Sequence, residues 1–435
     1  MTSKLSWKFP GTFWTANTVE LFERAAYYGV FIAMTLYLSD IVGFDDIDAA
    51  WISGFFSAGT FFLPPFTGAI ADKIGFRKSI LLAFSLLSVG YFSLGALPYK
   101  TTVIPSIIIL MFGASFIKAI ITGTVAQTTD TNNRARAYSI FYAMVNIGSF
   151  SGKTIAYPLR INLGLESINY FSAALCFVAL IVVFFFYKNF KIEESTKTLP
   201  EVWHSFLKVV TNVRLLMLIV IVTGFWIIQQ QMYATMPKYV LRTVGNHASP
   251  EWISNVNPLV VMTSVLIVTH WMKNVKAIVS MNVGMLLMPI SALLMASSPI
   301  LYSIYGNSVP LIGSFAAHPV TIMLIAGIVV QALAESFISP RYFEFFSLQA
   351  PKGEEGLYLG FGHLHSFLAS ILGFGLSGYL LTIYCPDPHT LTPDQMATAY
   401  LDANYIWYYF AVIGLLAAAA LFIYEKIVSK SSSKA

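Results

Sequence analysis

Glu20, Glu23 and Arg24 stand inside an apolar stretch that runs from about Phe13 to Leu38. Spacings of three and four put all three on one face of a helix, with Tyr27 a turn further along. A charge near the centre of a bilayer costs roughly 2.5–3.5 kcal/mol on insertion scales, so three together must be paired or must face a wet cavity. Such residues mark ion and solute pathways by default; the alternative is an internal ion pair that locks helices together. Two more ionisable residues sit in apolar surroundings, Lys118 in GASFIKAII and Glu335 in ESFISP. Cations in the first half of the chain and a carboxylate in the second are what a solute charged at both ends would need. Lys118 could equally be a neutral buried lysine, or one paired with Glu20 or Glu23 for structure alone. Asn146 and Asn257 also lie in apolar segments, where amides serve as interhelical glue.

The elements that must position these residues are membrane helices. Of the 435 residues, 57% are hydrophobic and 11% charged, against about 25% charged in a soluble domain. A span needs about 20 mostly apolar residues. Twelve segments qualify: 13–38, 49–71, 78–97, 104–128, 136–160, 168–187, 214–241, 251–272, 276–296, 318–340, 354–382 and 401–425. Lysine and arginine gather in the even-numbered connections and in both tails (Lys4, Lys8, Lys426, Lys430, Lys434), while the first connection on the other side is acidic (Asp40, Asp45, Asp46, Asp48). The positive-inside rule then puts both termini in the cytoplasm. No cleavage site follows a short apolar stretch at the N-terminus, so the first helix is expected to act as an uncleaved signal anchor. The longest connection divides the chain into 1–187, a cytoplasmic linker 188–213, and 214–435, with six helices on each side. Within it, Leu199 to Val210 reads as an amphipathic helix on the membrane surface. Two such halves are the layout of pseudo-symmetric transporters, whose site lies near the midplane.

Other classes are poorly supported. The net charge of +5 is scattered over short loops and is not a nucleic-acid footprint. His204, His247, His270 and His318 are isolated, no phosphate-cradling glycine loop follows a strand, and no nucleophile–His–acid set is visible. The sequence therefore points to no metal, no cofactor and no enzyme. Cys176 falls in an apolar segment and Cys385 in a connection, which argues against a disulfide between them.

The loop after the second segment, GAIADKIGFRK from Gly68 to Lys78, resembles the signature loop of the major facilitator superfamily. There Gly68 and Gly75 would permit close helix approach and a tight turn, Asp72 would cap a helix and pair with an arginine, and Arg77 would complete the gating loop. Within the superfamily, Glu20-x-x-Glu23-Arg24 followed by Tyr27-Tyr28-Gly29 resembles the first-helix motif of the proton-coupled oligopeptide transporters. FYAMVNIGS (Phe141 to Ser149), Lys118, Asn257-Pro258 and Glu335 in ESFISP are similar to further motifs of that family, in order along the chain. The resemblance implies an all-α integral membrane protein with the major facilitator fold, twelve helices in two six-helix bundles. It implies a multi-pass monomer in the cell (inner) membrane, and proton symport of di- or tripeptides by alternating access. Arg24, Lys118 and Asn146 would bind the substrate's carboxylate end; Glu335 and Asn257, with Ser339 nearby, its amino end; Tyr27 and Tyr28 would line the cavity. Glu20, Glu23 and Glu335 would carry the proton, unless Glu20 or Glu23 pairs with Lys118. A carrier or exporter of another organic anion is the alternative, and a non-transporting sensor a third reading.

The chain departs from that pattern in places. Phe31 stands where the family has a second arginine, and Gln229, Gln230 and Gln231 stand where the seventh helix has an acid. The pair those residues form at the outer gate is therefore missing, and gating must differ. Phe61 and Gly362 replace a tyrosine and a tryptophan, which would widen the pocket. Lys153 and Arg341 are also unusual. His363 or His365 could take over the lost proton role; at a spacing of two they are expected to face different sides. Pro64-Pro65, Pro237, Pro258, Pro289 and Pro340 are expected to interrupt helices.

Overall fold

A computed structural model describes residues 9–129, 133–188, 198–311, 316–350 and 355–432. The tail lysines Lys4, Lys8 and Lys434 lie outside the described residues. The first segment is α1 (Gly11–Leu36), prolonged by a π-helical turn over Tyr37–Ile41. The second is two helices, α2 (Asp46–Phe62) and α3 (Pro64–Ile74), because Pro64 and Pro65 bring no N–H to continue the α2 ladder. Then follow α4 (Phe76–Ala96), α5 (Lys100–Gln127), α6 (Arg134–Leu163) and α7 (Glu166–Phe186). The amphipathic stretch in the central connection is α8 (Leu199–Thr211). It sets Phe206 edge-on to Phe62 at 5.7 Å and Trp203 beside Phe66 at 6.4 Å.

The remaining segments show what proline does and does not do. α9 (Val213–Ala234) and α10 (Met236–Thr243) part at Thr235, just ahead of Pro237. α11 (Pro250–Ser254) and α12 (Val256–Trp271) part at Asn255, one turn before Pro258. α13 (Ala277–Ala296) runs into the short α14 (Ser298–Tyr305), after which β1 (Val309–Pro310) pairs antiparallel with β2 (Ala316–Ala317). α15 (Pro319–Ser347) follows, then α16 (Glu355–Gly362), α17 (Leu364–Tyr384), α18 (Pro393–Met396) and α19 (Tyr405–Ser432). Pro289 and Pro340 lie inside unbroken α13 and α15, against expectation. A packed membrane helix absorbs a proline when its neighbours satisfy the freed backbone. A break that no proline explains falls at His363, between α16 and α17.

Nine of the expected spans are long and apolar enough, among the described residues, to cross a membrane. The other three are α1, with its buried acids and arginine, the divided α2–α3 pair, and the polar α6. The protein is thus a multi-pass, all-α membrane protein. Its residues group into two compact units, Met1–Gly43 with Gly59–Leu207, and Phe44–Ala58 with Lys208–Ala435. In the first, α4 packs on α5 and α7, and α1 packs on α6 and α7. In the second, α13 packs on α15 and α19, α9 on α17 and α19, and α12 on α15.

Candidate functional site

In the first unit, α1 buries Glu20, Glu23 and Arg24 almost completely. Arg24 Nε lies 3.2 Å from Glu20 Oε1, and the same guanidinium donates to Glu23 Oε2. One cation therefore serves two carboxylates, and Glu20 Oε2 and Glu23 Oε1 have no hydrogen-bond partner among the described residues. Arg24 lies 5.3 Å from the Tyr27 ring, and Tyr27 meets Tyr28 edge-on at 5.2 Å.

Lys118 on α5 does not pair with either acid: among the described residues, no carboxylate comes within salt-bridge distance of its ammonium. Nζ instead donates to the Thr60 carbonyl at 3.1 Å and to Thr60 Oγ1 at 3.4 Å, and lies over the Phe61 ring at 4.0 Å. The cause is local. Thr60 is four residues before Pro64, so its carbonyl loses the partner that an ordinary helix would supply. Asn146 on α6 donates to Tyr142 O of its own helix at 2.8 Å.

α6 approaches α1 at two glycines. A methyl group at Gly152 would sit 2.1 Å from Ala25 O, and one at Gly148 would sit 2.6 Å from Leu21 O. Both clashes are with backbone and bracket Arg24. Overpacking of this kind costs about 1–3 kcal/mol. Gly152→Ala should therefore lower the melting temperature in detergent and weaken ligand binding, because α1 cannot keep its place. A variant as stable as the parent would contradict the close packing.

In the second unit, Glu335 on α15 is half-buried. Its Oε2 accepts from Gln229 Nε2 at 2.9 Å and from Asn257 Nδ2 at 3.2 Å. The three glutamines of α9 have different tasks. Gln230 Nε2 donates to Ser370 Oγ at 3.0 Å, and Gln231 Nε2 donates to Gly373 O at 3.2 Å, so these two tie α9 to α17. Ser339, one turn beyond Glu335, has a buried hydroxyl without a partner among the described residues. Arg341 donates to Met272 O at the end of α12 and to Glu344 Oε2 at 2.7 Å.

The two histidines do not face opposite sides. Their rings stack at 6.1 Å, and His363 lies 4.7 Å from Phe343 while His365 lies 6.2 Å from it. The spacing argument assumed one continuous helix, and the chain breaks at His363. His365 is buried between Tyr342 and Trp226, with Nδ1 2.6 Å from Gly362 O.

The second unit also contains an ion cluster that sequence reasoning missed. Asp46, expected in an exposed acidic loop, is buried at the start of α2. It accepts from Lys238 Nζ at 2.7 Å and from both Arg242 nitrogens, at 2.6 and 2.9 Å. Arg242 also donates to Cys385 O at 2.7 Å. Burial would push the Asp46 carboxyl up, but the hydrogen bonds and charges of Arg242 and Lys238 outweigh it and hold it below the ordinary range. A signal existed: Lys238 and Arg242 are four apart on one short helix, which puts two cations on one face.

In the loop after α3, Gly75 turns the chain at φ +90°, a conformation that L side chains resist. A methyl at Gly68 would meet Ala119 at 3.4 Å, which is close but bearable. Arg77 donates to Phe184 O at 2.7 Å, closing the end of α7. Asp72 has no basic partner among the described residues, so the expected arginine pair is not formed there. Its carboxyl is half-buried and pushed upward by that burial.

The sequence profile of the Major Facilitator Superfamily matches residues 18–308, most of the chain. The chain belongs to the major facilitator superfamily. Among the relatives of this superfamily chain, the dipeptide and tripeptide permease A of Klebsiella pneumoniae (strain 342) is 27% identical over 149 residues, covering 33% of this chain and 30% of that one. The dipeptide and tripeptide permease B of Photorhabdus luminescens is 25% identical over 184 residues, covering 41% of this chain and 38% of the relative. The matched stretches thus span well under half of either relative. A crystal structure of an auto-inhibited POT family peptide transporter superposes with a TM-score of 0.74 over 96% of this chain and 97% of that one, at 18% identity. At that identity the likeness speaks to the fold, which is the all-α membrane fold of the superfamily.

Proposed function

We propose that this superfamily member is a secondary active transporter that imports di- or tripeptides, or a peptide-like zwitterion, in symport with protons by alternating access. The observation that carries this reading is the Glu20–Glu23–Arg24 cluster. One guanidinium between two buried carboxylates leaves that trio one negative charge in a lipid-spanning helix, which either a proton or the nearby Lys118 ammonium of α5 can offset. Arg24 and Lys118, with Asn146, would take a carboxylate group; Glu335 with Asn257 and Ser339 would take an ammonium. Tyr27 and Tyr28 would line the path, and Gly68, Asp72, Gly75 and Arg77 would form the gating loop. The similarity to dipeptide and tripeptide permeases supports this substrate class. The accompanying reading is of a monomer in the cell membrane with both termini cytoplasmic, and of halves 1–187 and 214–435 joined by 188–213, with no cofactor and no catalysis.

Uptake by proteoliposomes tests it. A dipeptide panel should accumulate faster when the outside is made acidic relative to the lumen. Accelerated uptake of organic anions in place of dipeptides would favour the carrier alternative, and gradient-independent binding without accumulation would favour a sensor.

A further inference from the structure

Gln229 is the first of the three α9 glutamines that stand where the resemblance leads one to expect an acid, and the structure gives it two faces. Its NH2 group points at Glu335 Oε2, at 2.9 Å. The amide assignment is fixed by chemistry, since a carboxylate oxygen accepts and only the NH2 end can donate to it. The other end, Gln229 Oε1, is buried without a hydrogen-bond partner among the described residues, on a residue 7% exposed. A buried acceptor left unmet costs about 1–3 kcal/mol, so it is kept where a ligand supplies the donor. Asn257 donates to the same Glu335 oxygen from α12, which fixes the carboxylate from two helices. The Ser339 hydroxyl, a turn along α15, is buried without a partner as well. Gln230 and Gln231 do not share this arrangement, because both are spent on α17.

We propose that Gln229 binds the transported solute: its carbonyl oxygen accepts an N–H from the solute's ammonium group while its NH2 holds Glu335 in place as that ammonium's counter-charge. An ammonium has three donors and no acceptor, so a carboxylate beside an amide carbonyl suits it and a neutral acylated amine cannot satisfy both. The inference rests on the peptide-like reading above and adds the residue that selects for a free amino end.

The test is binding to the full-length protein in detergent, with three probes: a dipeptide, the same dipeptide amidated at its C-terminus, and the same dipeptide acetylated at its N-terminus. Gln229→Met keeps the length and packing of the side chain and removes both amide groups. It should weaken the dipeptide and the amidated dipeptide by roughly 10–100-fold, the worth of one or two hydrogen bonds to charged groups. The acetylated dipeptide, bound weakly by the parent, should bind the variant equally, which also shows that the variant is folded. Gln229→Leu should behave alike. If the parent prefers the free amine and the methionine variant keeps that preference undiminished, Gln229 is not a ligand and the broader reading survives. If the parent binds no amine probe, both fall.

Discussion

Asp46→Asn should lower the stability of the protein by about 3–5 kcal/mol, the cost of breaking a buried pair by removing one partner. Lys238 and Arg242 have side chains only 1% and 7% exposed, and Asp46 is the carboxylate that both contact directly. Asparagine can accept from one of them but cannot neutralise Arg242, whose guanidinium would keep its charge in a poorly solvated place. Asp387 is 4.0 Å from Arg242 and partly exposed, and cannot substitute. Thermal unfolding in detergent measures the loss. Asp48→Asn, at an exposed neighbour, should shift the midpoint by no more than about 0.5 kcal/mol's worth. The sign with pH follows from the lowered Asp46 value. The contribution is present in full above the ordinary aspartate value of about 3.9 and is lost as pH falls through the lowered one. Parent and variant should therefore differ by a constant amount from pH 5 to 8 and converge only in strong acid. A variant that melts with the parent at pH 7 would mean that water reaches the cluster.

Arg24→Ala and Glu335→Gln should each reduce uptake to background while leaving a monodisperse, folded protein. Arg24 is the shared partner of two buried acids. Without it Glu20 and Glu23 would lose the cation they share, and the cation that should meet a substrate carboxylate would be gone. Arg24→Lys should not rescue, because an ammonium is a point charge and cannot span both acids as the planar guanidinium does. Glu335→Gln keeps the shape and removes the counter-charge for an ammonium. Binding should weaken by roughly 10–100-fold for each lost charge-assisted contact. Proteoliposome uptake with size-exclusion profiles is the check, and normal transport by either variant would overturn the site assignment.

Much of the fold is legible in the sequence. Each of the twelve apolar segments contains helix in the structure, and the breaks ahead of Pro64, Pro237 and Pro258 follow from proline's missing N–H. The break at His363 was not legible, and with it the helical spacing argument for the two histidines failed. The candidate site was legible as a set of residues but not as a set of contacts. Lys118 was readable as an intramembrane cation. That it seeks the Thr60 carbonyl depended on a proline four residues further on and on the neighbouring helix that presents it.

The sequence alone determined the class of molecule: too apolar and too sparsely charged to be soluble, with a basic side, and with acids and bases on helix faces where lipid forbids idle charge. These properties are additive along the chain or periodic within a helix. The tertiary structure alone decided which charge answers which. Arg24 took both acids of its own helix, two amides from separate helices took Glu335, and Asp46 left its apparent loop to neutralise two cations nearly two hundred residues away. A pairing between helices is fixed by where each helix breaks and how closely glycines let it approach, and neither the period nor the composition of a segment carries that information.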